Sequence, residues 1–139
     1  MQWNNQPYAG FSECRPWLPV SSDYVRINVM AQERDRYSIL NLYRRLIELR
    51  RKHPALHMGE WEPVLKGWKN VLAYFRVYGD ERIFVVLNFS SRRKRIHAGH
   101  RAQWRVLFST HRSVREHFTS LDFSLSPYEA TVIKRIGEL

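Results

Sequence analysis

The sequence predicts a mainly β protein: an antiparallel Greek-key β-sandwich preceded by an irregular loop and one long amphipathic α-helix. Three observations carry that expectation. The first twenty residues, MQWNNQPYAGFSECRPWLPV, hold two tryptophans and three prolines but repeat with neither a period of two nor one of 3.6, so they read as loop. The stretch YSILNLYRRLIELRRKHPAL repeats its apolar residues at helical spacing. After it come only short segments rich in β-branched and aromatic residues, separated by turn-formers.

The helix is the clearest element. Ile39, Leu40, Tyr43, Leu46, Ile47 and Leu49 recur on one side, while Arg44, Arg45, Glu48, Arg51 and Lys52 face away. Asp35 or Ser38 suits its start as a cap, Arg50, Arg51 and Lys52 suit the negative end of its dipole, and Pro54 bars continuation much beyond Lys52. The expected span is Arg36 to His53. Seven strands are expected after it: Glu60 to Leu65, Val71 to Tyr78, Arg82 to Phe89, Arg93 to His97, Trp104 to Ser109, Phe118 to Ser124 and Ala130 to Arg135. Turns are expected at Gly79-Asp80, Ala98-Gly99 and Ser126-Pro127. Ile83 to Leu87 is apolar on both faces and suits a central strand, and the charged Arg93 to Ile96 segment suits an edge. With no helix between the strands, their pairing is antiparallel.

Composition bounds the rest. At 139 residues, 44% hydrophobic and 14% aromatic, the chain has material for one packed core. It has no run of about 18 apolar residues and no charged-then-apolar leader pattern, so no membrane association is expected. Cys14 is the sole cysteine, which excludes an internal disulfide and a cysteine-clustered zinc site and fits a reducing, cytoplasmic setting. The net charge of +10 is concentrated: nine basic residues and no acid lie from Arg82 to Arg115, including Arg92, Arg93, Lys94 and Arg95. Nucleic-acid binding would need those charges on one face with exposed aromatics among them. Trp104, Phe108 and Phe118 are spaced like strand core instead, so a solvated, edge-protecting hairpin is the favoured reading of the charge.

Few residues suggest chemistry. His97, His100, His111 and His117 match no metal-binding spacing, and Ser12 and Ser90 lack the His-Asp context of a nucleophile. No metal site and no cofactor are expected. Glu60 and Glu62 alone are spaced to stand side by side, as a solvated strand face would place them. Trp68, in the turn-like KGWKN, is expected to expose its ring and, with Tyr74, is the candidate for stacking on a sugar.

Read in order, MQW, AGFS, PWLPV, INV, SIL, YRRLIELR and HPAL, then YFRVYGDERIFVVLNFS, then SPYEATVIK, resemble the C-terminal end of α-glucosidases of the oligo-1,6-glucosidase and trehalose synthase group. These belong to glycoside hydrolase family 13 of the α-amylase superfamily. The similarity is weakest between Ser91 and Asp122. It implies that residues 1–56 are the end of a (β/α)8 barrel, namely the loop after its eighth strand and its eighth helix. Residues 57–139 would then be the all-β C-terminal domain of the α-amylase type. Gln2, Trp3 and Asn4 match a segment that lies near the aglycone side of the family's pocket, and Trp17 and Phe11 would pin the same loop by packing.

Retaining glycoside hydrolysis needs two carboxyl groups about 5 to 5.5 Å apart. The resemblance places the nucleophilic Asp, the acid Glu and a third, stabilising Asp in parts of the family that precede the matched region. The chain alone is therefore expected to be no enzyme, although the parent it resembles is a retaining α-glucosidase. The favoured function is a non-catalytic C-terminal portion of such an enzyme, supporting a barrel supplied elsewhere, with an α-glucoside or oligosaccharide as the parent's ligand. A carbohydrate-binding β-module and, less favoured, a basic nucleic-acid binder are the alternatives. The stripe Ile39, Tyr43, Leu46 and Ile47 has no barrel to rest on here. It is expected to be covered by self-association or by the N-terminal loop folding over it.

Overall fold

The computed structural model describes residues 1–64, 66–114 and 116–139. Leu65, which closes the first expected strand, and Arg115, which ends the basic stretch, lie outside the described residues. The chain divides into two compact units, Met1–Leu49 and Arg50–Leu139.

The first unit opens with single 3-10 turns at Pro7–Gly10 and Ser22–Val25. A short helix, α1 (Val29–Arg34), follows. It was not apparent in the sequence, because six residues are too few to show a period. Asn28 caps it, accepting from the Ala31 amide at 2.8 Å. Its last carbonyls are met by Asn41, whose side-chain amide donates to Gln32 O at 2.9 Å and to Asp35 O at 2.9 Å. The long helix, α2 (Ile39–Lys52), begins three residues later than expected. Of the two candidate caps, Ser38 takes the role, its hydroxyl accepting from the Asn41 amide at 3.2 Å, while the Asp35 carboxylate accepts from Tyr37 N just outside the helix. Arg50, Arg51 and Lys52 fill the last turn as read from the sequence.

In the second unit, Pro54 opens a one-turn helix, α3 (Pro54–His57), where its missing N–H is no loss. Among the described residues six strands follow: β1 (Glu60–Pro63), β2 (Val71–Tyr78), β3 (Glu81–Asn88), β4 (Lys94–Ser109), β5 (His117–Leu125) and β6 (Ala130–Gly137). All pairs are antiparallel, in the order β1-β2-β3-β6-β4-β5. The last strand thus inserts between β3 and β4, a non-neighbouring connection of the Greek-key sort rather than a meander.

Two of the seven expected strands are one. The turn expected at Ala98-Gly99 does not form, and β4 runs through it for 16 residues. Gly99 adopts φ +75, a left-handed conformation that kinks a strand without ending it, and the β4–β5 register shifts between His97 and Arg101 and again before Trp104. The edge reading of the basic segment holds in part. From Lys94 to His97 the strand pairs with β5, and its pairing with β6 begins only at Gln103.

The sheet curls into two layers over one core. In a flat sheet β2 and β4 would stand about 14 Å apart, three strand spacings. Instead the Phe75 and Trp104 rings lie 6.2 Å apart, centroid to centroid. Phe75, Phe84, Ile96, Trp104, Leu121 and Ile133 are all buried in that core. Trp104 packs with its indole N–H donating to His100 O at 3.2 Å, which satisfies the polar end of a buried ring. The opposite face of β3, with Ile83 and Val85, is covered by Ala55 of α3, so this strand is apolar on both faces as its composition implied.

Candidate functional site

In the first unit, the strip Gln2 to Asn4 is held by backbone. Trp3 N and Asn4 N both donate to Ala9 O, at 2.9 and 3.2 Å, and in return Gln2 O and Trp3 O accept from Val29 N and Met30 N, both at 2.9 Å. The strip thus satisfies the first, otherwise unpaired amides of α1. The Gln2 side-chain amide donates to Asp23 Oδ1 at 3.0 Å. Hydrogen bonds from Ser21 and then Gln2 hold the Asp23 carboxyl below the usual carboxylate range. Asn4 accepts from Gln6 N at 2.9 Å. Its side chain packs so close to Gly10 that a Cβ there would fall 2.3 Å from it, and Gly10 also has φ +68. Two of the three candidate rim residues therefore have their side chains engaged locally, and Trp3 presents a ring that is 49% exposed. Asp23 was not singled out from sequence, because its partner Gln2 lies 21 positions away.

Trp17, expected to pin the loop by packing, is 90% exposed, and Phe11 is exposed as well. Neither ring is buried against the rest of the loop. Together with Met1, Gln2 and Leu18 they line a cavity of about 810 Å³. The α2 stripe divides similarly: Leu46 is half-buried, but Ile39, Tyr43 and Ile47 are 68%, 62% and 50% exposed. The N-terminal loop does not fold over the stripe, contrary to one of the two expectations. The loop is held instead by its own backbone hydrogen bonds, with Pro7, Pro16 and Pro19 fixing its course.

In the second unit, Trp68 is half-buried against the main core rather than standing free, because the turn that carries it closes over the Phe75 face of the sheet. Tyr74 lies on the other face, beside Ala55 and Ile83, with Trp61 at 6.3 Å. The two candidate stacking rings are thus on opposite faces and form no common platform. Trp61, unremarked in the sequence, is the exposed ring of the pair it makes with Tyr74.

The basic residues of β4 do gather on one side. Arg95, His97, Arg101 and Arg105 are exposed, alternating in large part with the buried Ile96, Ala98, Ala102, Trp104 and Val106. The aromatics face the other way: Trp104 is buried, and Phe118 and Phe123 stack at 5.0 Å within the core. The face therefore has charge without exposed rings for base stacking. Among the described residues no three His, Cys, Asp or Glu side chains come together as a metal site.

The acids serve as clamps. Glu62, the more engaged of the Glu60 and Glu62 pair, is bound by Arg82 at 2.7 Å. Glu81, the first residue of β3, receives His53 Nδ1 and Lys134 Nζ on Oε1, each at 2.7 Å, and Ala55 N on Oε2 at 2.9 Å. Burial alone would raise its pKa, but the Lys134 ammonium and these other donors outweigh it and hold the carboxyl at about 2. Glu129 is 1% exposed and is met by Arg112 Nε at 2.6 Å, Ser126 N at 2.7 Å and the Thr131 hydroxyl at 2.9 Å. Its burial is likewise outweighed by the Ser126 amide, Thr131 and Arg112, and its pKa falls below the ordinary value. A general acid of glycoside cleavage needs the reverse, a carboxyl kept protonated by a raised pKa. Both clamped glutamates are therefore built to stay ionised and to hold structure.

Known proteins match the chain in two successive segments. Residues 1–59 match the family model for the α-amylase catalytic domain, and residues 64–132 match that for the maltogenic amylase C-terminal domain. The oligo-1,6-glucosidase of Bacillus cereus is 36% identical over 91 residues, covering 66% of this chain and 16% of that protein. A probable oligo-1,6-glucosidase of Bacillus subtilis is 32% identical over 135 residues, covering 95% of this chain and 24% of its own length. Among solved structures, an isomaltulose synthase from Klebsiella superposes with a TM-score of 0.81 at 36% identity, over 96% of this chain and 24% of the other. The chain spans between 16% and 24% of the length of these relatives. Two family models that together match most of it, and relatives that match it in sequence and in fold, show that the chain belongs to the α-amylase superfamily, glycoside hydrolase family 13.

Proposed function

We propose that the chain is a non-catalytic C-terminal portion of an α-glucosidase-type hydrolase acting on α-glucosides in cytoplasmic carbohydrate metabolism, and that its role is to support a catalytic barrel supplied by other residues. In this reading residues 1–56 complete the barrel, with α2 as its last helix, and residues 57–139 form the C-terminal β-domain. Gln2, Trp3 and Asn4 stand at the rim of the pocket, where Trp3 offers its ring to the aglycone.

The observation that carries the reading is the uncovered stripe on α2. A helix with Ile39, Tyr43 and Ile47 at 50% exposure or more buries none of its residues fully. Helices of that pattern bury the apolar side against a core. Barrel strands are the occupant for which the family's helix is shaped, and in their absence a second copy of the chain takes their place. The ionised, clamped state of Glu81 and Glu129 supports the absence of acid catalysis by this chain.

The test is complementation. The chain is assayed with p-nitrophenyl α-glucoside alone, and again after co-expression with an oligo-1,6-glucosidase shortened by the matching segment. No turnover alone and restored turnover on co-expression are expected. Turnover by the chain alone overturns the non-catalytic reading, and failure to restore turnover overturns the supporting role. Light scattering of the isolated chain is expected to show self-association, and a strict monomer counts against the stripe as the docking face.

A further inference from the structure

We propose that the second unit carries a phosphate-binding site between the ends of β4 and β6, in which Arg101 and Arg135 grip the anion. The β4–β6 ladder ends at the pair Gln103 and Gly137, with a register shift between Gln103 and Trp104. Beyond it the strands leave a cavity of about 660 Å³ lined by Arg101, Ala102, Arg135, Glu138 and Leu139. Buried Ala102 occupies little of that space. A cavity of this size lies in the range of small-molecule sites, about 300 to 1,000 Å³, and is larger than a bare phosphate requires.

The charges point to an anion. Three other basic residues of this unit are held in clamps: Arg82 with Glu62, Arg112 with Glu116 and Glu129, and Lys134 with Glu81. Arg101 and Arg135 appear in no such pair among the described residues, although Glu138 lines the same cavity. The Glu138 side chain is exposed, and it is the residue's backbone carbonyl that is held in place, accepting from Gln103 Nε2 at 3.1 Å. Two guanidinium groups on one cavity repel each other when it is empty, and a dianion between them turns that repulsion into two charge-assisted contacts. The surroundings add to the attraction. Arg105, in register with Lys134 on one side and His117 on the other, adds an exposed positive charge to this part of the sheet. Each guanidinium fork can meet two oxygens of a phosphate, and two arginines match its double charge, which a single carboxylate or a point anion does not carry. The anion is either free phosphate or the ester group of a small organic phosphate, for which the remaining volume has room. The site shares no residue with the rim or the α2 stripe, so it stands or falls independently of the barrel-supporting role.

The experiment is calorimetric titration of the full chain with inorganic phosphate and with glucose 6-phosphate, at ionic strength matched with sodium chloride. Saturable binding with one site per chain is expected, weakened about tenfold in R101Q and again in R135Q and unchanged in R95Q, whose arginine lies on the same strand outside the cavity. R135K, which keeps the charge but loses the fork, is expected to fall between. Tighter binding of glucose 6-phosphate identifies the ester as ligand, and equal binding identifies the free anion. No saturable binding to the wild-type chain, or equal weakening in R95Q, overturns the site, because the affinity is then absent or belongs to diffuse positive charge. Thermal melts of each variant verify the fold, and since Arg101 is exposed and Arg135 half-buried, neither substitution removes core.

Discussion

Residues 50–139 bury Phe75, Phe84, Ile96, Trp104, Leu121 and Ile133 together, whereas among residues 1–49 the fully buried apolar group is the methyl of Ala9. The first unit is ordered by polar contacts instead: Asn28, Gln32, Ser38 and Asn41 tie α1 to the start of α2. Net hydrogen-bond contributions are about 1 kcal/mol each, while burial of one large aromatic contributes several times that relative to its truncation. The second unit therefore has the means to fold by itself. The first is a prepared surface, held in shape by its own backbone and lacking an apolar partner. The contrast explains how one short chain can combine a stable domain with an exposed aromatic and aliphatic face.

Four measurements break or sharpen that contrast. The largest effect is expected from Trp104→Ala, which empties the centre of the curled sheet and costs about 3 to 5 kcal/mol in urea or guanidinium unfolding. A loss below about 1 kcal/mol would mean that the core is not where the second unit's stability resides. Next is acid. The Glu81 carboxyl sits at about 2 when folded against an ordinary value of 4.5, so the fold is favoured by roughly 3 kcal/mol above pH 4.5. Because the folded value is the depressed one, that contribution is lost as the pH falls from 4.5 towards 2. Unfolding curves across this window are expected to show the loss in the wild type and a flatter profile in Glu81→Gln. The third effect is confined to the first unit: Ser38→Ala removes the α2 cap at a cost of about 1 kcal/mol. Hydrogen exchange is expected to quicken at Leu40 to Leu42 and to leave β3 and β6 unaltered; faster exchange in the strands would show the units to be coupled. Smallest is Ile47→Ser, which should change the unfolding of the isolated chain by no more than about 0.5 kcal/mol. The same substitution is expected to impair complementation of a shortened glucosidase, and a large stability loss in the isolated chain would sink the view of Ile47 as an uncovered residue.

Local signals were legible and distant ones were not. The α2 stripe, its Ser38 cap, the β2–β3 hairpin and the two-faced β3 were all visible, because each depends on residues within one or two turns or a strand of each other. The single 16-residue β4 was hidden by Gly99, which reads as a turn and serves as a kink, since only tertiary pairing decides between the two. The clamps at Glu81 and Glu129 were hidden because the partners come from far away: Lys134 is 53 positions from Glu81, and Arg112 is 17 from Glu129. For the candidate rim, the family resemblance pointed to Gln2, Trp3 and Asn4, but nothing local could reveal that the Gln2 and Trp3 carbonyls would receive the first amides of α1. Trp68 was misread as exposed because a turn composition says where the backbone bends and not which side the ring takes.

The order of the sheet also governs how the domain comes into being. The segment synthesised last among the strands, β6, occupies the middle position, bonded to β3 at Phe84 and Ile133 and to β4 at Val106 and Ile133. Until Ala130 and its successors emerge from the ribosome, β3 and β4 each present an unmatched row of amides and carbonyls to whatever is nearby. Contacts that bridge some fifty residues also close slowly, on the millisecond-to-second scale of high-contact-order β proteins. A product that lacked this strand would keep two sticky margins with no means of sealing them, so a single late-made segment decides whether the earlier ones are safe from stray pairing.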